Sequence, residues 1–202
     1  MVIKKIESVK NANKIFNMQK LKEKYQKEAV PQLMAKFGYK NVMAVPAIKK
    51  VVVNTSFGKD AVSKTSSERE KTRELIMQDL ALITGQKPKL MKSKKSIAGF
   101  KLREGLEIAA TVILRKERMW DFLERLIFLS LPRSRDFKGI DSKSIDKKGN
   151  LSMGFREHIS FPEIFTEKEK TIFGLEITVV VKAKDKEEGL ELYKLLGFPI
   201  KD

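Results

Sequence analysis

Between Gly85 and Arg103 the chain carries seven basic residues, Lys87, Lys89, Lys92, Lys94, Lys95, Lys101 and Arg103, and no acid until Glu104. The chemistry open to such a stretch is neutralisation of a polyanion, because each phosphate paired with Lys or Arg releases condensed counterions. A solvated hairpin whose lysines serve only solubility is the plainer reading of a lysine run. So long a window without an acid favours nucleic acid. Gly99 and Gly105 punctuate the stretch, and Leu90, Ile97 and Phe100 occur singly rather than at a helical period, so a loop flanked by short strands is expected.

A second set of residues could read RNA from a sheet. In the run IKKVVVN, alternation puts Lys50, Val52 and Asn54 on one face and Lys49, Val51 and Val53 on the other. In the run Glu107–Arg115, Ile108, Ala110, Val112 and Leu114 oppose Ala109, Thr111, Ile113 and Arg115. Lys50, Asn54, Thr111 and Arg115 then mix charge with hydrogen-bonding groups, which suits RNA sugars and base edges. Gln86 stands where a helix ends and the chain returns to the sheet. Turn and cap chemistry accounts for Asn54 and Gln86 equally well on spacing alone. Arg133 and Arg135 follow Pro132 at a helix end, where cations also complement the helix dipole.

Catalysis has little to work with. His158 is the single histidine, and no cysteine or nucleophile-elbow serine partners it. The Gly58–Lys59 pair lacks the second glycine of a phosphate-cradling loop and reads as a strand-to-helix turn. Without cysteine, disulfide scaffolds and thiolate zinc sites are excluded, and no cofactor is implied.

Composition agrees. The 202 residues hold 42 Lys+Arg against 26 Asp+Glu, a formal net charge of +16, with 42% hydrophobic residues. That balance describes a folding chain with a polyanionic partner. No window reaches the roughly 18 apolar residues of a membrane span. The N-terminus lacks a secretory signal core, so a cytoplasmic protein is expected.

The elements that must position these groups can be read in order. Residues 1–17 form a basic arm, expected to be mobile, ahead of a single domain over 18–202. Leu21, Tyr25, Ala29, Leu33 and Phe37, four apart, mark a helix from Met18 to Phe37 that Pro31 kinks and Gly38 stops. Ser67 with Glu70 is a candidate capping box for a second helix, whose apolar positions are Ile76, Leu80 and Ile83. A third helix, Glu117–Leu131, buries Met119, Phe122, Leu123, Leu126 and Ile127, with Pro132 as its terminator. Residues 133–150 form a long polar loop. Two short runs, Leu151–Phe155 and His158–Ile164, suggest a hairpin or irregular strands. LEITVVVKA alternates as a strand, and Glu187–Leu196 closes the chain as a helix. The order predicts an α+β domain: a mostly antiparallel sheet with helices on one face, close to a split βαβ (ferredoxin- or RRM-like) arrangement.

Long motifs carry a resemblance. ITGQKP (Ile83–Pro88), KKSIAGFKLREG (Lys94–Gly105), ERMWDFLERLI…LPRSRDFKG (Glu117–Gly139), GNLSMGFREHISFPEI (Gly149–Ile164) and FGYKNVMAVPAIKKVVVN (Phe37–Asn54) resemble the bacterial-type large-subunit ribosomal protein five family. The likeness covers nearly everything from about Met18. It implies a structural constituent of the large subunit that binds 5S ribosomal RNA in the central protuberance, beside large-subunit RNA and neighbouring ribosomal proteins. It points the sheet-face residues toward 5S RNA. It carries Lys92, Lys94, Lys95, Ser96, Lys101 and Arg103 toward the tRNA in the peptidyl site. Arg133, Arg135, Lys138 and Lys143 would lie toward a small-subunit head protein, in an intersubunit bridge.

Departures from the family pattern are the 1–17 extension, Ile113 where Thr is usual, Lys147-Lys148-Gly149-Asn150 for Gly-Arg-Gly-Asn, and His158 in place of glutamine. A free-standing RNA chaperone or nuclease is the alternative. A nuclease needs clustered carboxylates or a histidine pair, and neither is visible.

Overall fold

The structure, a computed structural model, describes residues 21–135, 137–164 and 172–201; the expected 1–17 arm lies outside them. Five strands form one sheet: β1 (Ala47–Ser56), β2 (Lys89–Lys92), β3 (Glu107–Leu114), β4 (Leu151–Phe155) and β5 (Leu175–Lys182). Their spatial order is β2-β3-β1-β5-β4, and every neighbouring pair is antiparallel. β1 and β2 are therefore parallel with β3 between them, and β3 and β5 are parallel with β1 between them. The two interleaved split βαβ units match the expected class, with β4 added at one edge.

The first helix, α1, runs Leu21–Lys24, widens into a π turn over Tyr25–Ala29 and resumes as Val30–Phe37. Val30 N–H donates to the Tyr25 carbonyl, five residues back, immediately before Pro31. Proline has no N–H and its ring crowds the carbonyl four residues back, so one extra residue in the turn makes room for it. Gly38 then ends the helix at φ 68°, its N–H on the Met34 carbonyl. Short α2 (Gly58–Ser63) leads into α3 (Ser66–Thr84), which Gly85 terminates at φ 65°.

The capping box of α3 falls two residues before the expected Ser67–Glu70 pair. Thr65 is the N-cap, and Glu68 accepts from its N–H at 3.1 Å and from its hydroxyl at 2.7 Å. The next helix, α4, comprises Lys116–Arg125, a π turn over Leu126–Ser130 and a last turn, Leu131–Arg133. Pro132 does not terminate it: Leu131 N–H reaches the Leu126 carbonyl, and the same widening admits the proline within the helix. The final helix, α5, is Lys186–Leu196.

Alternation assigns the two faces of the sheet. Val51, Val53, Ala110, Val112, Leu114, Ile177 and Val179 are buried against Leu33, Ile76, Leu80, Ile83, Phe122, Leu123 and Leu192 of the helices. A bulge at Lys49 corrects the expected phase: Ile48 is buried, Lys49 is exposed, and strict alternation begins only at Lys50. The run His158–Ile164 is not a strand but a 3-10 turn, His158–Ser160, followed by irregular chain. His158 itself is fully buried and stacks on Phe173 with ring centroids 4.0 Å apart.

The polar 133–150 segment is pinned rather than free. Ile140 and Ile145 are buried; Ile140 N–H donates to Pro199 O at 2.8 Å, and Lys201 N–H donates back to Ile140 O at 2.8 Å. Asp146 accepts from Lys148 N (2.9 Å), Asn150 N (2.7 Å) and Asn150 Nδ2 (2.8 Å), closing the turn that delivers Gly149. Gly149, at φ 78°, lies against Gly189 of α5, while the Tyr193 hydroxyl is 3.0 Å from Gly149 O and 3.2 Å from Val179 O.

A Cβ on Gly189 would sit 2.6 Å from Gly149 Cα and 2.8 Å from Gly149 O, closer than atoms tolerate. Helix propensity alone favours Ala over Gly by about 1 kcal/mol. Gly189→Ala is expected to reverse that sign and cost about 1–3 kcal/mol through overpacking. In thermal unfolding this lowers Tm by about 2–4 °C per kcal/mol; an unchanged or raised Tm refutes the contact.

Candidate nucleic-acid interface

Among the described residues, no helix covers the face of the sheet opposite the helices. From Lys50 on, the side chains of β1 that point there are Lys50, Val52, Asn54 and Ser56, and register fixes what lies beside each. Asn54 stands opposite Thr111 on β3 and Glu176 on β5, and Thr111 stands opposite Lys89 on β2. One row across four strands thus reads Lys89, Thr111, Asn54, Glu176. The next reads Ile113, Val52, Thr178, Ser152. The expected parity of Lys50, Asn54 and Thr111 is met, and Ile113, 43% exposed, shares their face.

The polar groups of this face are held by long bonds. Asn54 Nδ2 donates to Glu176 Oε2 at 3.4 Å, Thr111 Oγ1 to Val53 O at 3.4 Å, and Gln86 Nε2 to Ile113 O at 3.5 Å. Ser152 and Thr178 hydroxyls lie 3.2 Å apart. Hydrogen bonds near 3.5 Å are weak, so exchanging them for bonds to a ligand costs little. Gln86, just past the Gly85 cap of α3, also receives its own backbone support from Thr84; it reaches the edge of the face beside β3.

Charge is distributed unevenly over this surface. Lys50, Lys182 and Arg115, the N-cap of α4, gather at one end; Lys182 Nζ lies 3.4 Å from Met43 O. Toward the other end Glu176 and Lys89 lie in one row, on either side of Asn54 and Thr111. Lys89 was expected in the basic stretch rather than on the sheet face, and Ser152, Glu176, Thr178 and Lys182 were not among the residues singled out from sequence. The alternation of LEITVVVK would have placed the last three on the polar side once β5 was paired with β1.

Two cationic appendages flank the sheet on opposite edges. Beyond β2 and β3 the basic stretch folds as a small hairpin. Ser93 N–H donates to Leu106 O at 2.8 Å, Gly105 N–H to Ser93 O at 3.0 Å, and Ile97 and Leu102 exchange bonds of 3.0 and 3.1 Å. At its tip the 3-10 turn Ala98–Phe100 leads to Lys101 at φ 51°, leaving Phe100 73% exposed. Lys92, Lys94, Lys95, Lys101 and Arg103 are exposed, and none belongs to an ion pair among the described residues. Ser96 is differently occupied, since its Oγ accepts from Glu104 N at 2.9 Å and fixes the hairpin.

Along the β4 edge, a groove of about 590 Å³ separates the strand from the segment carrying Arg135 and Lys138. Arg133, Arg135, Lys138 and Lys143 are all exposed there, with Arg135 3.7 Å from Glu157. The three sets of expected contact residues therefore occupy three separate surfaces of one body. His158, buried beneath the helices' side, belongs to none of them.

A family model described as "Ribosomal protein L5" matches residues 41–103, and a second, describing the C-terminus of the same ribosomal protein family, matches residues 107–200. The large ribosomal subunit protein uL5 of Halothermothrix orenii is 49% identical over 182 residues, covering 90% of this chain and 98% of the relative. Its counterpart in Geotalea daltonii is 49% identical over 185 residues, 92% of this chain and 100% of the relative. That of Caldanaerobacter subterraneus is 47% identical over 182 residues, again 90% and 98%. With matched segments on both halves of the sheet and relatives this similar along nearly their whole length, the chain belongs to the ribosomal protein L5 family.

Proposed function

We propose that this protein is a structural constituent of the large ribosomal subunit that binds 5S ribosomal RNA through the open face of its sheet. It works in the cytoplasmic ribosome and is not an enzyme. The observation that carries the reading is the helix-free face itself. Thr111 and Asn54 lie side by side on central strands, held by weak bonds, with Lys50, Lys182 and Arg115 at one end. Cations supply affinity through phosphates, while neutral donors and acceptors near the centre read sugars and base edges. The basic hairpin contacts the tRNA of the peptidyl site, and the Arg133–Lys143 surface faces a small-subunit head protein. Their support is exposed positive charge on opposite edges, together with family membership. Family membership favours this reading over a free-standing RNA chaperone or nuclease.

The purified protein is expected to prefer 5S ribosomal RNA over an unrelated structured RNA of equal length at physiological salt, with steep salt dependence. Equal affinities would refute the function.

Asn54→Ala is expected to cost about 1–3 kcal/mol against 5S RNA with the salt slope unchanged, whereas Lys50→Ala should reduce that slope by about one. Titrations at several salt concentrations decide this, and a wild-type Asn54→Ala curve removes the open face as the reading surface.

The appendages separate by assay. Shortening the hairpin between Lys92 and Lys101 should spare 5S binding and weaken tRNA retention in the peptidyl site. Arg133→Ala with Arg135→Ala should instead weaken subunit joining at limiting magnesium. Loss of 5S binding on shortening the hairpin, or unaltered joining in the double variant, reassigns the corresponding surface.

A further inference from the structure

On a face that would meet a polyanion, Glu176 is out of place. Among the described strand residues on the open side it is the one carboxylate; Glu107, near the β2–β3 bulge, turns instead to Arg73 of α3 at 2.7 Å. Glu176 is exposed, and no described cation stands within ion-pair distance of it. A bare carboxylate repels phosphates, so general attraction to RNA is better served without it. What a carboxylate can do on such a surface is accept hydrogen bonds from the donor edge of a base.

The surroundings suit that role. Glu176 faces Asn54 across the β1–β5 pair, and Asn54 Nδ2 holds Glu176 Oε2 at 3.4 Å. Together with Ser56, Phe155 and Gly174, the two line a recess of about 270 Å³ at this end of the sheet. The recess lies just below the roughly 300–1,000 Å³ of ordinary ligand sites, a size that admits a nucleobase. Its floor is built: Thr55 is buried with its hydroxyl on Gly174 O at 2.7 Å, and a Cβ on Gly174 would meet Phe155 O at 3.0 Å. The polar groups are complementary in kind. Glu176 only accepts, the Asn54 amide both donates and accepts, and the Ser56 hydroxyl does both.

We infer that this recess receives an unpaired guanine of the bound RNA. Guanine presents two adjacent donors, N1–H and the N2 amino group, which match the two oxygens of Glu176. Its O6 and N7 acceptors are left for the second Asn54 amide hydrogen, or for the Ser56 hydroxyl once it exchanges its long 3.4 Å bond to Ile108 O. Glu176 is thus a specificity residue: it raises discrimination while lowering general affinity for RNA. The inference rests on the proposed 5S-binding function.

The test compares wild type, Glu176→Gln and Glu176→Ala against 5S ribosomal RNA and an unrelated structured RNA at physiological salt. Loss of the carboxylate should tighten or leave unchanged the unrelated RNA and weaken 5S binding about ten-fold, the scale of one two-bond base contact. Parallel tightening for both RNAs, or unchanged 5S binding, overturns the inference while leaving 5S recognition standing. A wild type without any preference for 5S RNA overturns the proposed function and this inference with it.

A second readout does not depend on affinity. Kethoxal adds to N1 and N2 of unpaired guanine, the edge assigned to Glu176. At saturating protein, one guanine of 5S RNA should be protected by wild type and regain reactivity in the Glu176→Ala complex. If every guanine behaves identically in the two complexes, the recess holds no guanine.

Discussion

Everything in this molecule hangs on β1 having an antiparallel partner on each side. Its register with β3 and β5 sets which residues stand in each row, and a slip of one position would send the whole row to the opposite face. Val51 and Val53 tie one parity to the helices; each buried side chain contributes about 1.5–3 kcal/mol that a slip would forfeit. The polar parity is therefore held in place by residues that never touch a ligand. Asn54, Thr111 and Glu176 are aligned because the valines beside them have nowhere else to go.

This arrangement separates affinity from discrimination in space. Cations gather at one end of the open face and on two appendages, while the row through Asn54 sets neutral Thr111 and Asn54 between Lys89 and Glu176. The appendages spring from opposite sheet edges, so a single rigid body can address three surfaces without a hinge. Both are stiffened locally, the hairpin by the Ser93 and Ile97–Leu102 bonds, the other by the buried Ile140 and Ile145. On the other side, Tyr39 donates to the buried Glu188, a bond that lifts its phenol to about 12, and Lys184 covers its ring at 4.8 Å. These groups fasten the chain just after α1 to α5 and to the turn before it, and take no part in the open face.

Alternation made the strands legible, since period two is unambiguous where Val and Ile alternate with Lys, Asn and Thr. What escaped were features that depend on hydrogen bonding rather than hydropathy. The spacing Leu21, Tyr25, Ala29, Leu33, Phe37 is four throughout, and in an ideal α-helix that stripe drifts by about 40° at each step. The π turn accommodates part of that drift, so the uniform spacing was itself a sign of it. Pro132 looked like a stop because proline breaks an α-helix; in a π-widened turn it does not. Thr65–Glu68 and Ser67–Glu70 both fit the capping pattern, and only the direction of the preceding chain chooses between them. Glu176 was readable as outward-facing, yet its meaning required knowing that Asn54 is its neighbour, which no single strand reveals.

The sheet's connectivity also dictates an order of events during synthesis. β1 is made long before its partner on one side, β5: Ala47 pairs with Lys182. Until then the central strand of the finished sheet is an edge strand, with an unpaired row of backbone donors and acceptors on a Val-rich segment, the kind of edge that recruits foreign strands. Pairing so distant in sequence is slow to form. The two lysines at its start, Lys49 and Lys50, put charge on that edge, and charged side chains are what discourage foreign strands from pairing with it.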